Sequence, residues 1–296
     1  MAEFWAYDPR YKWGRKYVDF ITRHSFRKIE IEGSLPEDGR AIIISPNHTG
    51  TLMDALLVLL LRKEGILFGA RADVFRNPKV ARLLHFFKIV PLARKDRDRP
   101  DEVRHNMEVF DYIDDVLGHG MPYCMFPEGR HKTEHRILPL KKGIAHIALR
   151  SAAQRPTAIV PVGIEYSDWF HFRQHTIMRI GEPMDIKADD NADDVLEALK
   201  GQMESLIYIG DNPPVKRQST WSRVLQTIIG LPLFLVSAVV SLPLWLTAEL
   251  LCGKVKDKAF SNTMRYGVKL LLSPLNLYLP FYTIFYDWLN VVNGRI

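Results

Sequence analysis

Ala41-Ile42-Ile43-Ile44-Ser45-Pro46-Asn47-His48-Thr49-Gly50-Thr51-Leu52-Met53-Asp54 is the stretch on which the fold turns. Residues 41–44 are all apolar and read as a buried strand, and residues 52–61 read as a buried helix. The polar residues between them therefore occupy a strand-to-helix junction. Open α/β sheets place their sites at such junctions, beyond the carboxyl ends of strands. Pro46 breaks the strand and Gly50 permits a tight path into the helix. Within the junction, His48 can take a proton from a hydroxyl near neutral pH. Asp54 can fix its tautomer and stabilise the imidazolium. A histidine at a strand end is also a common structural residue, so the pair alone leaves both readings open.

Working outward, residues 29–31, 66–68, 88–92, 121–126 and 158–164 read as further strands. Asn77-Pro78 opens a helix, with proline suited to its first turn. Its Val80, Leu83, Leu84 and Phe87 are expected to face the core. Residues 100–119 read as an amphipathic helix with Val103, Met107, Phe110, Ile113 and Leu117 on one stripe. Residues 144–149 read as an apolar helix, and 189–209 as a helix with an acidic start. The alternation of strand and helix implies an α/β fold with a central sheet flanked by helices.

The 296 residues, 47% hydrophobic and 25% charged, suffice for one large domain or a domain with an appendage. Cys124 and Cys252 both lie in apolar runs, against a disulfide framework or a thiolate metal site. A reducing compartment is expected, and the first residues do not read as a cleavable signal peptide. The net charge is +6. Residues 71–99 hold nine Arg or Lys against three Asp, a difference of +6, so the excess is concentrated there. That run is either a solvated basic face or an anion site, arginine's planar fork being suited to phosphate. Residues 1–28 are aromatic and basic, with Trp13, Tyr17, Phe20, Ile21 and His24 at helical spacing. Such a helix suits a membrane interface and equally an ordinary core contact.

Residues 224–248 are 25 positions without Asp, Glu, Lys or Arg. At ~1.5 Å per residue a helix of that length crosses a ~30 Å hydrocarbon core. Residues 270–286 give another 17 uncharged positions, marginal for a span. Pro232, Pro243, Pro274 and Pro280 imply kinks. Lys216, Arg217 and Arg223 precede the first segment, and Lys254, Lys256, Lys258, Arg265 and Lys269 lie between the two. Positive charge on both flanks conflicts with a simple span. Either the hairpin crosses, or both segments dip in and return on one face. The expected division is a domain over 1–215, with an interfacial helix at about 1–28, and a membrane-associated part over 216–296. Its hydrophobic segments lie at about 224–251 and 268–292.

Four stretches in order resemble the glycerol-phosphate and lysophosphatidate acyltransferase family over roughly residues 40–165. They are Asn47-His48 with Asp54, Lys88-Ile89-Val90-Pro91-Leu92-Ala93-Arg94, Phe126-Pro127-Glu128-Gly129-Arg130 followed by Leu140-Lys141-Lys142-Gly143, and Val160-Pro161-Val162. Two departures stand out. Five residues separate His48 from Asp54 where the family most often has four, which requires a non-helical link near Gly50. The third stretch reads Glu-Gly-Arg where many relatives have Glu-Gly-Thr-Arg. The resemblance implies an acyltransferase-like α/β domain plus a C-terminal hydrophobic helical hairpin. It implies a membrane-bound enzyme with its catalytic domain facing the cytoplasm. The acyl donor would be acyl-coenzyme A or an acyl carrier protein, and the acceptor lysophosphatidate, or alternatively glycerol 3-phosphate. His48 would be the general base and Asp54 its orienting group. Arg94, Glu128, Gly129, Arg130 and Lys141 would hold the acceptor's phosphate and glycerol. No metal or cofactor is implied, and the lipid bilayer is the expected partner.

A non-catalytic lipid-binding or tethering protein would keep the basic patch and tail but has no need of His48. A nucleic-acid binder leaves the uncharged tail unexplained, so no nucleic-acid partner is expected. There is no Gly-x-Ser-x-Gly elbow and no Gly-x-x-x-x-Gly-Lys loop.

Overall fold

The structure, a computed structural model, describes residues 3–94, 98–208, 219–255, 258–272 and 279–293. Lys95, Arg97, Lys216, Arg217, Lys256, Pro274 and the 215/216 division lie outside the described residues.

Eight strands form one mixed sheet: β1 (Lys28–Glu32), β2 (Ala41–Pro46), β3 (Leu67–Arg71), β4 (Ile89–Leu92), β5 (Tyr123–Cys124), β6 (Thr157–Tyr166), β7 (His175–Ile180) and β8 (Met184–Ile186). Their order is β1-β7-β6-β2-β5-β3-β4, with β8 also paired to β6. Strands β6, β2, β5, β3 and β4 run parallel to one another, whereas β7 and β8 run antiparallel to β6. Every residue of β2 and β6 is buried, as continuous apolar runs demand when both faces of a parallel sheet are covered.

The pleat sends alternate residues to opposite faces. Ala41 and Ile43 join a core with α4 (Pro100–Gly118), α5 (Gly143–Ala152) and α6 (Ala192–Leu206). Ile42 and Ile44 join the opposite core with α1 (Pro9–Arg23) and α2 (Leu52–Leu59). That second core also contains residues of α7 (Thr220–Lys254), α8 (Ser261–Leu272) and α9 (Leu279–Val292).

These C-terminal helices are held by specific contacts. Phe172, in the β6–β7 loop, lies edge-on to Tyr282 and Tyr286 at ring distances of 5.8 and 5.3 Å. Arg173 makes a two-pronged pair with Asp287 at 2.9 and 2.7 Å, and Asn290 donates to the Phe172 carbonyl. Asn262 donates to the Trp169 carbonyl, and Arg265 pairs with Glu249. Helix α7 passes the length-and-apolarity test for a membrane span.

Several sequence expectations are corrected. Leu83, 57% exposed, and Val80 face solvent. Phe86 turns inward instead, because Gly14 of α1 leaves room for its ring and Tyr11 meets it edge-on. On α4 the buried stripe is Val109, Tyr112, Ile113, Val116 and Leu117, and Met107 is 59% exposed. The first turns of α4 are turned by the Arg76–Glu102 pair and by Asn106, which bonds both backbone groups of Ala93. The expected strand over 121–126 pairs only at Tyr123 and Cys124, since Pro122 and Pro127 have no N–H to give. On α1 the packed face is Tyr11, Val18 and Ile21, and Trp13 and Phe20 are exposed.

Phe172→Ala should cost about 3–5 kcal/mol, the range for removing a buried aromatic ring. Denaturant unfolding of the full chain reads it directly. A cost below about 1 kcal/mol would mean that α9 is not packed on the loop.

Candidate active site

The parallel strands deliver the site together. His48 follows the carboxyl end of β2, Glu128 follows β5, Arg94 follows β4, and Tyr166 ends β6. Asn47 locks two of these strand ends. Its side chain donates to the Ile164 carbonyl at 3.0 Å and accepts the Ile164 N–H at 2.6 Å.

His48 Nδ1 lies 2.8 Å from Asp54 Oδ2. Asp54 has no exposed surface, so its charge must be met by donors. Thr49 N and Gly50 N donate to Oδ2 at 2.9 and 2.8 Å, and Tyr166 OH donates to Oδ1 at 2.5 Å. Burial, and then the adjacent carboxylate, hold the Tyr166 phenol protonated well above its ordinary range. With Nδ1–H directed at Asp54, the other ring nitrogen of His48, Nε2, becomes the proton acceptor. The imidazole rests on Phe126 at 4.3 Å between ring centres, with His131 edge-on at 5.8 Å.

The five-residue gap is accommodated at Thr51. Its φ of 58° and ψ of −123° lie in a region that β-branched residues rarely enter, at a cost of about 1–3 kcal/mol. The Thr51 hydroxyl is bonded to that of Thr263 on α8 at 2.8 Å. Gly50 has no positive φ. Its role is room: a Cβ there would sit 2.6 Å from the Tyr166 oxygen and 2.7 Å from Asp54 Oδ1.

Glu128 is buried behind His48. Its two oxygens accept the N–H groups of His48 at 2.8 Å and Leu138 at 3.0 Å. Burial pushes its carboxyl up, and those two bonds pull it the other way. It thus ties the β2 and β5 loops together and makes no bond to Arg130.

Arg94 is anchored by its own N–H to Asp98, and its Nη1 reaches the Gly129 carbonyl at 3.3 Å. Gly129 adopts φ +66°, the left-handed conformation that favours glycine, and the Lys141 stem lies across it. Arg130 and Lys141 are exposed, and neither is paired with a carboxylate among the described residues. By contrast, Arg71 is paired with Asp73 and Arg76 with Glu102. Arg94, whose Nε lies 4.0 Å from Asp98, also extends its Nη1 toward the Gly129 turn.

All seven residues named from sequence lie in the junction, the Gly129 turn and their immediate supports. Sequence reading missed Tyr166, Asn106, Phe126 as the ring under His48, and Thr263. For Tyr166 the available signal was its place at the carboxyl end of the strand beside β2. The others carry no local signal, because their partners are remote in the chain.

Residues 27–165 match the Acyltransferase family model. The 1-acyl-sn-glycerol-3-phosphate acyltransferase of Limnanthes alba is 33% identical over 123 residues, covering 42% of this chain and 41% of that protein. Glycerol-3-phosphate O-acyltransferase 2 of Saccharomyces cerevisiae is 31% identical over 119 residues, covering 37% of this chain and 16% of that protein. The match thus spans about two-fifths or less of the length of these curated relatives. The crystal structure of the 1-acyl-sn-glycerophosphate acyltransferase PlsC from Thermotoga maritima superposes with a TM-score of 0.51 at 22% identity. It covers 66% of this chain and 77% of that one, a likeness of fold.

Tyr166→Phe removes one of the donors to Asp54 and should lower stability by about 1.5–3 kcal/mol, the worth of a hydrogen bond to a charged group. Gly50→Ala should cost more, because the new methyl displaces both partners of that bond. Thermal unfolding of the two variants side by side checks the order. A smaller loss for Gly50→Ala would overturn the assigned role of the glycine.

Proposed function

Residues 27–165 match the Acyltransferase family model, and from that premise we propose that the protein moves an acyl chain from a thioester donor to lysophosphatidate in phospholipid synthesis. The observation that carries this reading is the buried, fully donated Asp54 behind His48, with the unpaired Arg130 and Lys141 at the same sheet edge. That arrangement joins a proton acceptor to a site for a phosphate.

His48 Nε2 takes the proton of the acceptor's free glycerol hydroxyl as its oxygen attacks the thioester carbonyl. Asp54 stabilises the imidazolium that forms. Collapse of the tetrahedral intermediate breaks the C–S bond, and the imidazolium returns the proton to the departing thiolate. The ester C–O bond is made, the thiol is released and His48 is neutral again. These steps call for no nucleophilic side chain, metal or cofactor besides the donor, acyl-coenzyme A or an acyl carrier protein. Arg94, Arg130 and Lys141 hold the acceptor's phosphate, with the Gly129 turn letting its backbone approach the anion. Glu128 fixes the distance between this turn and His48.

Similarity to the yeast glycerol-3-phosphate O-acyltransferase supports a second reading, in which glycerol 3-phosphate is the acceptor. The bilayer is the proposed partner, reached through α7 and the exposed aromatic face of α1, with the catalytic domain on the cytoplasmic side. A tethering protein without turnover remains the non-enzymatic rival, and the bonding around His48 disfavours it.

Purified protein in detergent, given labelled acyl-coenzyme A with lysophosphatidate and glycerol 3-phosphate in parallel, tests the reading. His48→Ala should reduce transfer by at least about 10²–10⁴-fold, far beyond any loss of folded protein, with the variant still folded and membrane-bound. Undiminished turnover in that variant sinks the mechanism. Arg130→Ala should raise the KM of the acceptor by about tenfold or more, as loss of a charged hydrogen bond implies, and leave that of the donor unchanged. Equal shifts in both would remove Arg130 from the phosphate site.

A further inference from the structure

Helix α7 has 35 residues, about 52 Å at ~1.5 Å per residue, against a hydrocarbon core of ~30 Å. Its inward residues Thr227, Gly230, Phe234, Ser237, Ser241, Leu244 and Ala248 recur every three or four positions, so one stripe faces the protein along the helix. Phe234 stacks on Phe285 and Trp288, and Trp288 donates to the Thr227 carbonyl. Near its start, Arg223 donates to the Val291 and Val292 carbonyls. Near its end, Glu249 pairs with Arg265 of α8. Helix α9, wedged beneath, is bonded to the α/β domain through Asp287 and Asn290.

The opposite face is apolar throughout and exposed, with Leu225, Ile229, Val236, Val239, Leu246 and Leu250 along it. We infer that α7 lies in the plane of one membrane leaflet, its outer face sunk among the acyl chains and its inner face on the protein, and does not cross the bilayer.

The geometry excludes lipid from one side of the helix along its whole length. In a crossing orientation, Arg173–Asp287 would sit near the level of Gly230 and Glu249–Arg265 near the other end. The two pairs would be about 29 Å apart along α7, and the domain surface between them would be forced into hydrocarbon. In the plane, both pairs stay at the headgroup layer. Arg223 and Lys254, at the two ends of the helix, then meet the same anionic surface. Trp221, 84% exposed at the start, is placed as an interfacial anchor. The positive charge on both flanks of the apolar segment, at odds with a span, follows directly. Because the inner face has protein and not water as its neighbour, α7 needs no charged stripe of its own.

The inference rests on the bilayer-bound reading above. Its test is independent of turnover. Full-length protein carrying Cys252→Ser is given a single reporter, Trp221→Cys or Gly253→Cys, both at exposed positions, while Cys124 stays buried. Each variant is reconstituted into sealed vesicles of phosphatidylcholine and phosphatidylglycerol, all in one orientation as judged by protease access to the catalytic domain. A membrane-impermeant maleimide is then added before and after permeabilisation. The expected result is full labelling of both positions from the side of the catalytic domain, with no gain on permeabilisation. Labelling of one end only before permeabilisation means a span and overturns the inference, while acyl transfer stands. Failure of the protein to float with the vesicles, with dimers formed through α7 instead, overturns the inference and the bilayer anchor together.

Discussion

A carboxylate with no exposed surface holds this active site together. Asp54 would be unstable in the interior without compensation, and the chain supplies donors from separate places: the His48 ring, two backbone N–H groups of the junction, and the Tyr166 hydroxyl at the end of a neighbouring strand. Each donor fixes something else. The backbone pair sets the tight path through Gly50, which in turn requires a residue without Cβ beside the tyrosine. The same path leaves Thr51 in strained backbone, held by its bond to α8. The imidazole is consequently oriented by the sheet itself, and not by the flexibility of a loop.

The parts of the fold that were legible in the sequence are those whose burial is complete. Strands β2 and β6 are buried throughout and carry long apolar runs because both their faces are covered, so no phase had to be guessed. The junction, the Gly129 turn and the basic residues near them are local in sequence and could be read as units. Periodicity shows that a helix has an apolar stripe, but not which neighbour will cover it. On α3 (Pro78–Phe86) the deciding partner was a glycine on α1 about seventy positions earlier, so that of the expected face Phe87 packs on the core while Val80 and Leu83 do not. Strand β7 escaped notice because His175 and Arg179 interrupt its apolar pattern. Arg179 is paired with Glu32 and Glu165, and His175 lies against Glu30, partners invisible until the strands pair. Tyr166 and Asn106 belong to the same class of residue, polar and silent in sequence, whose roles exist only across the sheet.

The C-terminal helices are read from sequence as an appendage and found to be a wall of the catalytic domain. Helix α8 touches α1 and α2, bonds to Thr51 and holds the β6–β7 loop through Asn262 and Arg265. Phe260, just before it, meets His131, which in turn meets His48. The C-terminal segment is therefore two ring contacts from His48.

The bond between Thr51 and Thr263 also dictates when the site can come into being. Its partners stand 212 positions apart, and the Tyr166–Asp54 bond joins residues 112 apart. Contacts of such range close late, after their loop entropy has been overcome, and a ribosome releases the chain from its beginning onward. His48 thus emerges well before the residues that set it in place. A chain cut short before Thr263 would lack this bond, and with it one of the contacts that hold the junction around His48 in place.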